Sequence, residues 1–267
     1  MIDLNKSISM KGRISLITGG LGNIGSSIAE ALAQLNSDLI IVDHPDMDDS
    51  NLRDKLKKFP NIKVYFFKSD FESEQSRKKL VKKIINEFAE LSVLINNAAF
   101  VGSREIEGWG VSFSNQTTQT WNRALNVNLT SVFELTRDLT PLLSATKKGS
   151  IINISSIYGL IGPDWSLYEN TSMGNPAAYA ASKGAIIQLT KWMATTLGPN
   201  IRANCISPGG IERNQPKTFK DKYTLKTPLK RMASEDDICG AILYLASDLS
   251  LYVTGQNIII DGGFSSW

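Results

Sequence analysis

The sequence predicts an α/β fold, a Rossmann-type doubly wound parallel sheet of about seven strands with helices on both faces. Three observations predict it. Short apolar runs alternate with helix-length amphipathic segments along the whole chain. The apolar runs are continuous rather than alternating, as strands buried on both faces require. A glycine-rich turn joins the first apolar run to the first helical segment.

RISLITGG (13–20) reads as a strand entering a turn, and 23–35 as a helix with Ile24, Ile28, Ala31, Leu32 and Leu35 on one face. Strands follow at 38–44 and 61–70. A charged helix at 73–88 carries Leu80, Val81, Ile84, Ile85 and Phe88. The fourth strand is 91–99. A helix over 120–143 is expected to end near Pro141, because proline cannot donate to the helical ladder. Then come a strand at 149–156, a helix at 176–197, a strand at 200–210, a helix at 234–246 and a last strand at 256–263. With no repeat and no Gly, Ser or Pro-rich linker, residues 1–267 are expected to form a single domain. Segments 100–119, 160–175 and 211–229 are too long and polar for plain connections. Each follows a strand and is expected at the carboxyl edge of the sheet, where such folds bind ligands.

Composition narrows the function. Apolar content of 42% and charged content of 21% describe a globular chain. A net charge of +3, with no basic run interleaved with aromatics, gives no ground for a nucleic-acid partner. His44 is the only histidine, and Cys205 and Cys239 are scattered, so neither a metal site nor a histidine-based mechanism is expected. The N-terminus lacks a signal-peptide core and no segment has the length and apolarity to span a bilayer, so a cytoplasmic protein without a membrane partner is expected.

The stretch ITGGLGNIG (17–25) places Gly19, Gly20, Gly22 and Gly25 where a backbone must approach a pyrophosphate at a helix N-terminus. Asn23 stands where a glycine would be usual; asparagine is the non-glycine residue that best tolerates positive φ. Asp43 closes the second strand 18 residues after Gly25. A carboxylate there accepts both ribose hydroxyls of NAD and repels a 2′-phosphate, so NAD is expected ahead of NADP. The plain alternative is a turn acid. His44 beside it is either a surface residue or an adenosine contact.

Further motifs make the chain resemble the short-chain dehydrogenase/reductase family over nearly its full length. Thr18 to Gly25 is similar to the family's cofactor loop, Asp70-Phe71 to the pair that meets adenine, and Asn96-Asn97-Ala98-Ala99 to the motif after strand four. WNRALNVNLTSVF (121–133) resembles the helix that carries the catalytic asparagine, here Asn128. INISS puts the catalytic serine at Ser156, YAASK puts the catalytic pair at Tyr179 and Lys183, and Pro208-Gly209 matches the motif after strand six. The tail YVTGQNIIIDGG and the length are of the classical type, whereas the glycine spacing at 19, 22 and 25 is that of extended members. The resemblance implies cofactor contacts from Gly19, Gly22, Asn23, Ile24, Gly25, Asp43, Asp70, Phe71, Asn97, Ala98, Tyr179, Lys183, Pro208, Gly209 and Ile211. Arg213 replaces the threonine that often contacts the nicotinamide amide.

Hydride transfer at a secondary alcohol needs one proton moved at the same carbon. A free tyrosine, with a pKa of about 10, is a poor base at neutral pH. Lys183 lies four residues beyond Tyr179, so on a helix the two share a face, and its charge favours the phenolate. Among the seven tyrosines only Tyr179 has a lysine at this spacing. The resemblance adds that Ser156 binds the substrate oxygen and that Asn128 anchors a water linking Lys183 to solvent. The small residues Ala177, Ala178, Ala180, Ala181, Gly184 and Ala185 permit close packing of another helix, either within the chain or in the homodimer or homotetramer that the family forms.

The small-molecule substrate is less legible. Asp164, Trp165, Tyr168, Glu169 and Asn170 in the 160–175 segment, with Arg104, Glu105, Trp109 and Gln116 after strand four, suit a hydroxylated ligand such as a sugar or sugar phosphate. Arg213, Lys217, Lys220, Lys222 and Lys226, against Asp221, form either a mobile lid with an anion site or a solvated amphipathic helix. Two other functions stay open: a nucleotide-binding regulatory protein without catalysis, and an NAD-retaining sugar epimerase or dehydratase.

Overall fold

A computed structural model describes residues 3–101 and 106–267. Its strands are β1 (Ile14–Thr18), β2 (Asp38–Asp43), β3 (Val64–Lys68), β4 (Val93–Asn96), β5 (Gly149–Ile154), β6 (Ile201–Pro208) and β7 (Asn257–Ile260). They form one seven-stranded sheet in the order β3-β2-β1-β4-β5-β6-β7, parallel throughout. The chain winds outward from β1 to β3, then returns to place β4 on the other side of β1. The crevice between the carboxyl ends of β1 and β4 is therefore the switch point at which such sheets bind ligands.

Strand side chains alternate between two cores. Leu16, Ile40, Leu94 and Ile151 meet α4 (Glu74–Glu87), α5 (Thr118–Leu125), α6 (Ser131–Ala145) and α7 (Ala177–Leu197). Their neighbours Ile17, Ile41, Ile95 and Ile152 meet α2 (Asn23–Gln34), α3 (Ser50–Leu56) and α9 (Asp236–Ala246). Burial on both faces is why these strands read as unbroken apolar runs. A third cluster, Ile157, Leu167, Tyr168, Phe219, Tyr223, Met232 and Phe264, lies beyond the strand ends and packs α8 (Lys217–Lys226) onto the 160–175 segment.

The differences from sequence expectation are local. The short helices α1 (Leu4–Ile8) and α3 carry too few turns for a periodic signal. The helix expected over 120–143 is two helices joined by a π-helical turn at Asn126–Thr130. The second of them runs through Pro141 to Ala145, because Leu142 and Leu143 are buried in the core and hold the last turn. The 211–229 segment contains α8, whose Phe219 and Tyr223 are buried, so it is docked rather than merely solvated.

Candidate active site

The glycine turn is shaped by its backbone. Gly19 has φ of 63°, and a Cβ there would lie 2.8 Å from the Ala98 Cα. A Cβ on Gly25 would lie 2.1 Å from the Gly19 carbonyl oxygen, so α2 can approach the turn only with glycine at this position. Asn23 corrects the sequence expectation. It is the first residue of α2, its φ is not positive, and the residue needs no left-handed tolerance. Ser26 N–H makes the first intrahelical bond, to Gly22 O at 2.8 Å, so the N–H groups of Asn23, Ile24 and Gly25 precede the ladder and are available to an anion.

Asn97 braces this turn. Its Nδ2 donates to the carbonyls of Thr18 and Gly19, each at 3.0 Å, while the N–H groups of Asn97 and Ala98 donate to Thr18 Oγ1. Thr18, the first residue of the loop motif, thus ties the turn after β1 to the turn after β4 through its buried hydroxyl. The turn opens into a cavity of about 440 Å³ lined by Gly19, Gly22, Asn23, Ile24, Gly25, Asp43, Asp70, Phe71, Asn97 and Ala98. Met47, Ser69 and Glu72 line it too and went unnoticed, because a loop residue near a cavity leaves no pattern in sequence. His44 lines this cavity with its ring half exposed.

A second cavity of about 210 Å³ is lined by Ser156, Tyr179, Lys183, Pro208, Gly209 and Ile211. It shares Ile24, Asn97, Ala99, Val101 and Arg213 with the first, so the two form one cleft across the carboxyl ends of the sheet. The turn after β5 is pressed against α7. A Cβ on Gly159 would lie 2.7 Å from the Lys183 carbonyl, and Ser155 Oγ donates to that carbonyl at 2.7 Å. This contact also accounts for part of the small-residue face of α7 by packing within the chain. It sets Ser156 beside Tyr179. The Ser156 Oγ accepts the Tyr158 N–H at 3.2 Å, which leaves its own proton free to donate.

Lys183 is 3% exposed, donates from Nζ to the Ile154 carbonyl at 2.8 Å, and stands 5.6 Å from the centre of the Tyr179 ring. Burial lowers its pKa to about 8. Burial raises that of Tyr179, and a hydrogen bond from Ser156 opposes the shift. Asn128 sits in the π-helical turn with its side chain committed: Oδ1 accepts the Phe100 N–H at 2.6 Å and Nδ2 donates to Ser182 Oγ at 3.0 Å.

The surrounding segments narrow the substrate. Each of the five basic residues between 213 and 226 holds a carboxylate: Arg213 with Glu235, Lys217 with Asp221, Lys220 with Glu212, Lys222 with Glu169 and Lys226 with Asp164. The anion-site alternative therefore finds no unpaired cation among these five residues. Trp109 is a core residue, edge-on to Phe100 with its Nε1 donating to the Val101 carbonyl at 2.8 Å. Arg104 and Glu105 lie outside the described residues. Among the described residues no group of three His, Cys, Asp or Glu side chains could hold a metal, and no helix is long and apolar enough to cross a membrane.

A family model described as enoyl-(acyl carrier protein) reductase matches residues 20–265. The chain is 31% identical to the 3-oxoacyl-[acyl-carrier-protein] reductase FabG of Thermotoga maritima over 95% of its own length and 98% of the relative's. A short-chain dehydrogenase from Leptospira borgpetersenii, solved with bound NAD+, superposes with a TM-score of 0.82 at 33% identity, covering 99% of this chain and 96% of that one. A gluconate 5-dehydrogenase from Burkholderia cenocepacia, solved with NADP and tartrate, superposes with a TM-score of 0.84 at 27% identity, covering 99% and 100%.

Proposed function

The chain belongs to the short-chain dehydrogenase/reductase family, and from that premise we propose that it transfers a hydride between NAD(H) and a secondary alcohol or carbonyl of a polar, uncharged small molecule. The observation that carries this is the shared cleft. Ser156, Tyr179 and Lys183 line the same opening as the glycine turn and Asp43. The turn fits a dinucleotide because its glycines leave a cradle that a Cβ would fill and three N–H groups precede the helical ladder. When bound, the nicotinamide accepts or supplies the hydride.

The chain's own residues move the proton. In the oxidation direction the Tyr179 phenolate takes the alcohol proton; in reduction its O–H returns one to the carbonyl oxygen. Ser156 donates its free hydroxyl proton to the same oxygen and fixes its position. Lys183 favours the phenolate by its charge, and a water anchored at Asn128 would link it to solvent. The raised pKa of the free Tyr179 must be lowered for this to work, and the positive charge of an oxidised nicotinamide acts in that direction.

NAD is preferred over NADP because Asp43 lies at the adenosine end. Among the described residues lining that cavity the only Lys or Arg is Arg213, which also lines the catalytic end. Lys68 is engaged by the Met47 carbonyl instead. With every cation of 213–226 paired, a neutral sugar or polyol fits better than a sugar phosphate. The matching family description favours a second substrate, an acyl thioester. The exposed Trp121, Phe133 and Trp192 on α5, α6 and α7 suit self-association as a homodimer or homotetramer in the cytoplasm.

The test is titration of NADH and NADPH, followed by energy transfer from protein to nicotinamide, and then a panel of polyols, apolar ketones and 3-oxoacyl thioesters. Preference for NADH and turnover of polyols is the expected result. Turnover of thioesters alone would establish the second substrate, and cofactor binding without any turnover would leave a nucleotide-binding regulator.

A further inference from the structure

The turn that follows β3 carries Asp70, Phe71 and Glu72 to the wall of the adenosine end of the cleft. The Ser69 N–H donates to the Asp43 carbonyl at 2.8 Å, which lays this turn beside the acid that closes β2. Behind it, α4 supplies a buried cation. Arg77 is 3% exposed; its Nη1 donates to the Phe71 carbonyl at 2.6 Å and its Nε to Glu134 of α6 at 2.6 Å. A buried ion pair is often no more stabilising than the apolar side chains that could replace it. Stability alone therefore does not account for this one, and its contact with Phe71 connects it to the cleft.

The connection is a single peptide. The Phe71 carbonyl and the Glu72 N–H belong to one planar unit. Arg77 holds that unit by its oxygen, while its N–H donates to Asp70 Oδ1 at 2.9 Å. Turning the plane moves the donor that fixes the carboxylate. The positive charge at the carbonyl also polarises the peptide and strengthens the bond from its N–H. Other groups hold the rest of the turn: Ser76 Oγ accepts the Asp70 N–H at 3.0 Å, and Arg123 of α5 binds the two Glu72 carboxylate oxygens at 2.8 and 2.9 Å. Among these contacts, that of Arg77 alone bears on the peptide that donates to Asp70 Oδ1.

We propose that Arg77 is a positioning residue for the cofactor: through the Phe71–Glu72 peptide it aims the Asp70 carboxylate at the exocyclic amine of adenine. A carboxylate only accepts hydrogen bonds. It takes the 6-amino group of adenine and repels the 6-carbonyl of hypoxanthine, so the site selects between two dinucleotides that differ at this edge of the base. The assignment rests on the cofactor site proposed above, but is read by binding rather than by hydride transfer.

The test titrates NADH and reduced nicotinamide hypoxanthine dinucleotide, each followed by energy transfer from protein to nicotinamide. The natural chain is expected to bind NADH about tenfold more tightly, the effect of one hydrogen bond to a charged group. Arg77→Met combined with Glu134→Leu leaves no unpaired buried charge, and circular dichroism verifies its fold. Its preference is expected to fall to about twofold, because the Asp70 bond is no longer held in line, while its affinity for the hypoxanthine dinucleotide stays within about twofold of the natural chain's. Arg77→Lys keeps the charge but not the fork, so its preference should lie between, at about fourfold; it decides if the double variant does not fold. A natural chain without the preference, or a folded variant that keeps it in full, overturns the assignment. Affinities for both dinucleotides that fall in parallel also overturn it, and mark a purely structural ion pair. The expected preferences in a chain that turns over no alcohol or ketone uphold Arg77 while the hydride-transfer function fails; NADH turnover without the preference does the reverse. Binding of neither dinucleotide overturns both.

Discussion

The carboxylate of Asp43 accepts the backbone N–H of Leu21 at 2.8 Å on one oxygen and that of His44 at 2.7 Å on the other. The acid at the end of β2 is thus bonded to the glycine turn whose ligand it would help select. Asp43→Ala is expected to weaken NADH about tenfold, roughly 1.4 kcal/mol, and to bring the NADH and NADPH dissociation constants close together. Asp43→Asn keeps an acceptor but removes the charge, so it should relax selectivity with a smaller loss of melting temperature. An unchanged NADH/NADPH ratio in both variants would show that Asp43 is a turn acid only.

Lys183 gives the stability a definite dependence on pH. Its pKa in the folded chain is about 8, below its ordinary value of 10.5. Between these values the unfolded chain binds the proton and the folded chain does not, so this group's contribution to stability rises with pH across the window. Below pH 8 the buried charge carries its full cost, an upper bound of about 3 kcal/mol at roughly 1.36 kcal/mol per pKa unit. Denaturant melts of the cofactor-free protein from pH 7 to 10.5 should show a smaller rise in Lys183→Met than in the natural chain. Parallel curves would show that Lys183 titrates normally.

Tyr179→Phe is expected to lower kcat by about 10³-fold or more, within or beyond the range for loss of a general acid/base, while NADH affinity stays within about threefold. Ser156→Ala should lower kcat less, because Tyr179 still holds the oxygen. Retained turnover in Tyr179→Phe would remove the tyrosine from the proton path.

Gly25→Ala places a methyl group 2.1 Å from the Gly19 carbonyl oxygen. The backbone must move to accept it, so NADH binding should fall below detection even if the sheet still folds. Energy transfer from protein to nicotinamide, with circular dichroism as the folding control, reads this out. Normal binding would show that α2 can shift without closing the cradle.

Tyr223→Phe removes the oxygen that accepts the Gly210 N–H at 2.6 Å. The ring still stacks on Phe264, whose centre is 4.4 Å away. Leaving that N–H unpaired costs about 1–3 kcal/mol. Protection of Gly210 and α8 against hydrogen exchange should fall while the β-strands keep theirs. Uniform loss of protection would mean that Tyr223 supports the whole molecule.

What could be read from sequence follows from how local each feature is. The seven strands announced themselves because Leu16, Ile17, Ile151 and Ile152 are buried on opposite faces, and such burial forces unbroken apolar runs. The glycine turn and the Tyr179–Lys183 spacing are likewise contained within a few residues. Asn23 was misjudged because the turn's one positive φ falls at Gly19, which only coordinates reveal. Of the five lysines and arginines of 213–226, Lys217 has its partner Asp221 four residues on, whereas Glu235, Glu169 and Asp164, which hold Arg213, Lys222 and Lys226, come from segments that only the fold brings near.

The third cluster takes none of its buried residues from a strand; Ile157, Leu167, Tyr168, Phe219, Tyr223, Met232 and Phe264 all lie beyond the strand ends. It is a small cooperative unit with its own apolar interior, able to open at a lower free energy than the sheet beneath it. Substitutions confined to this cluster are expected to change its local opening more than the stability set by the sheet.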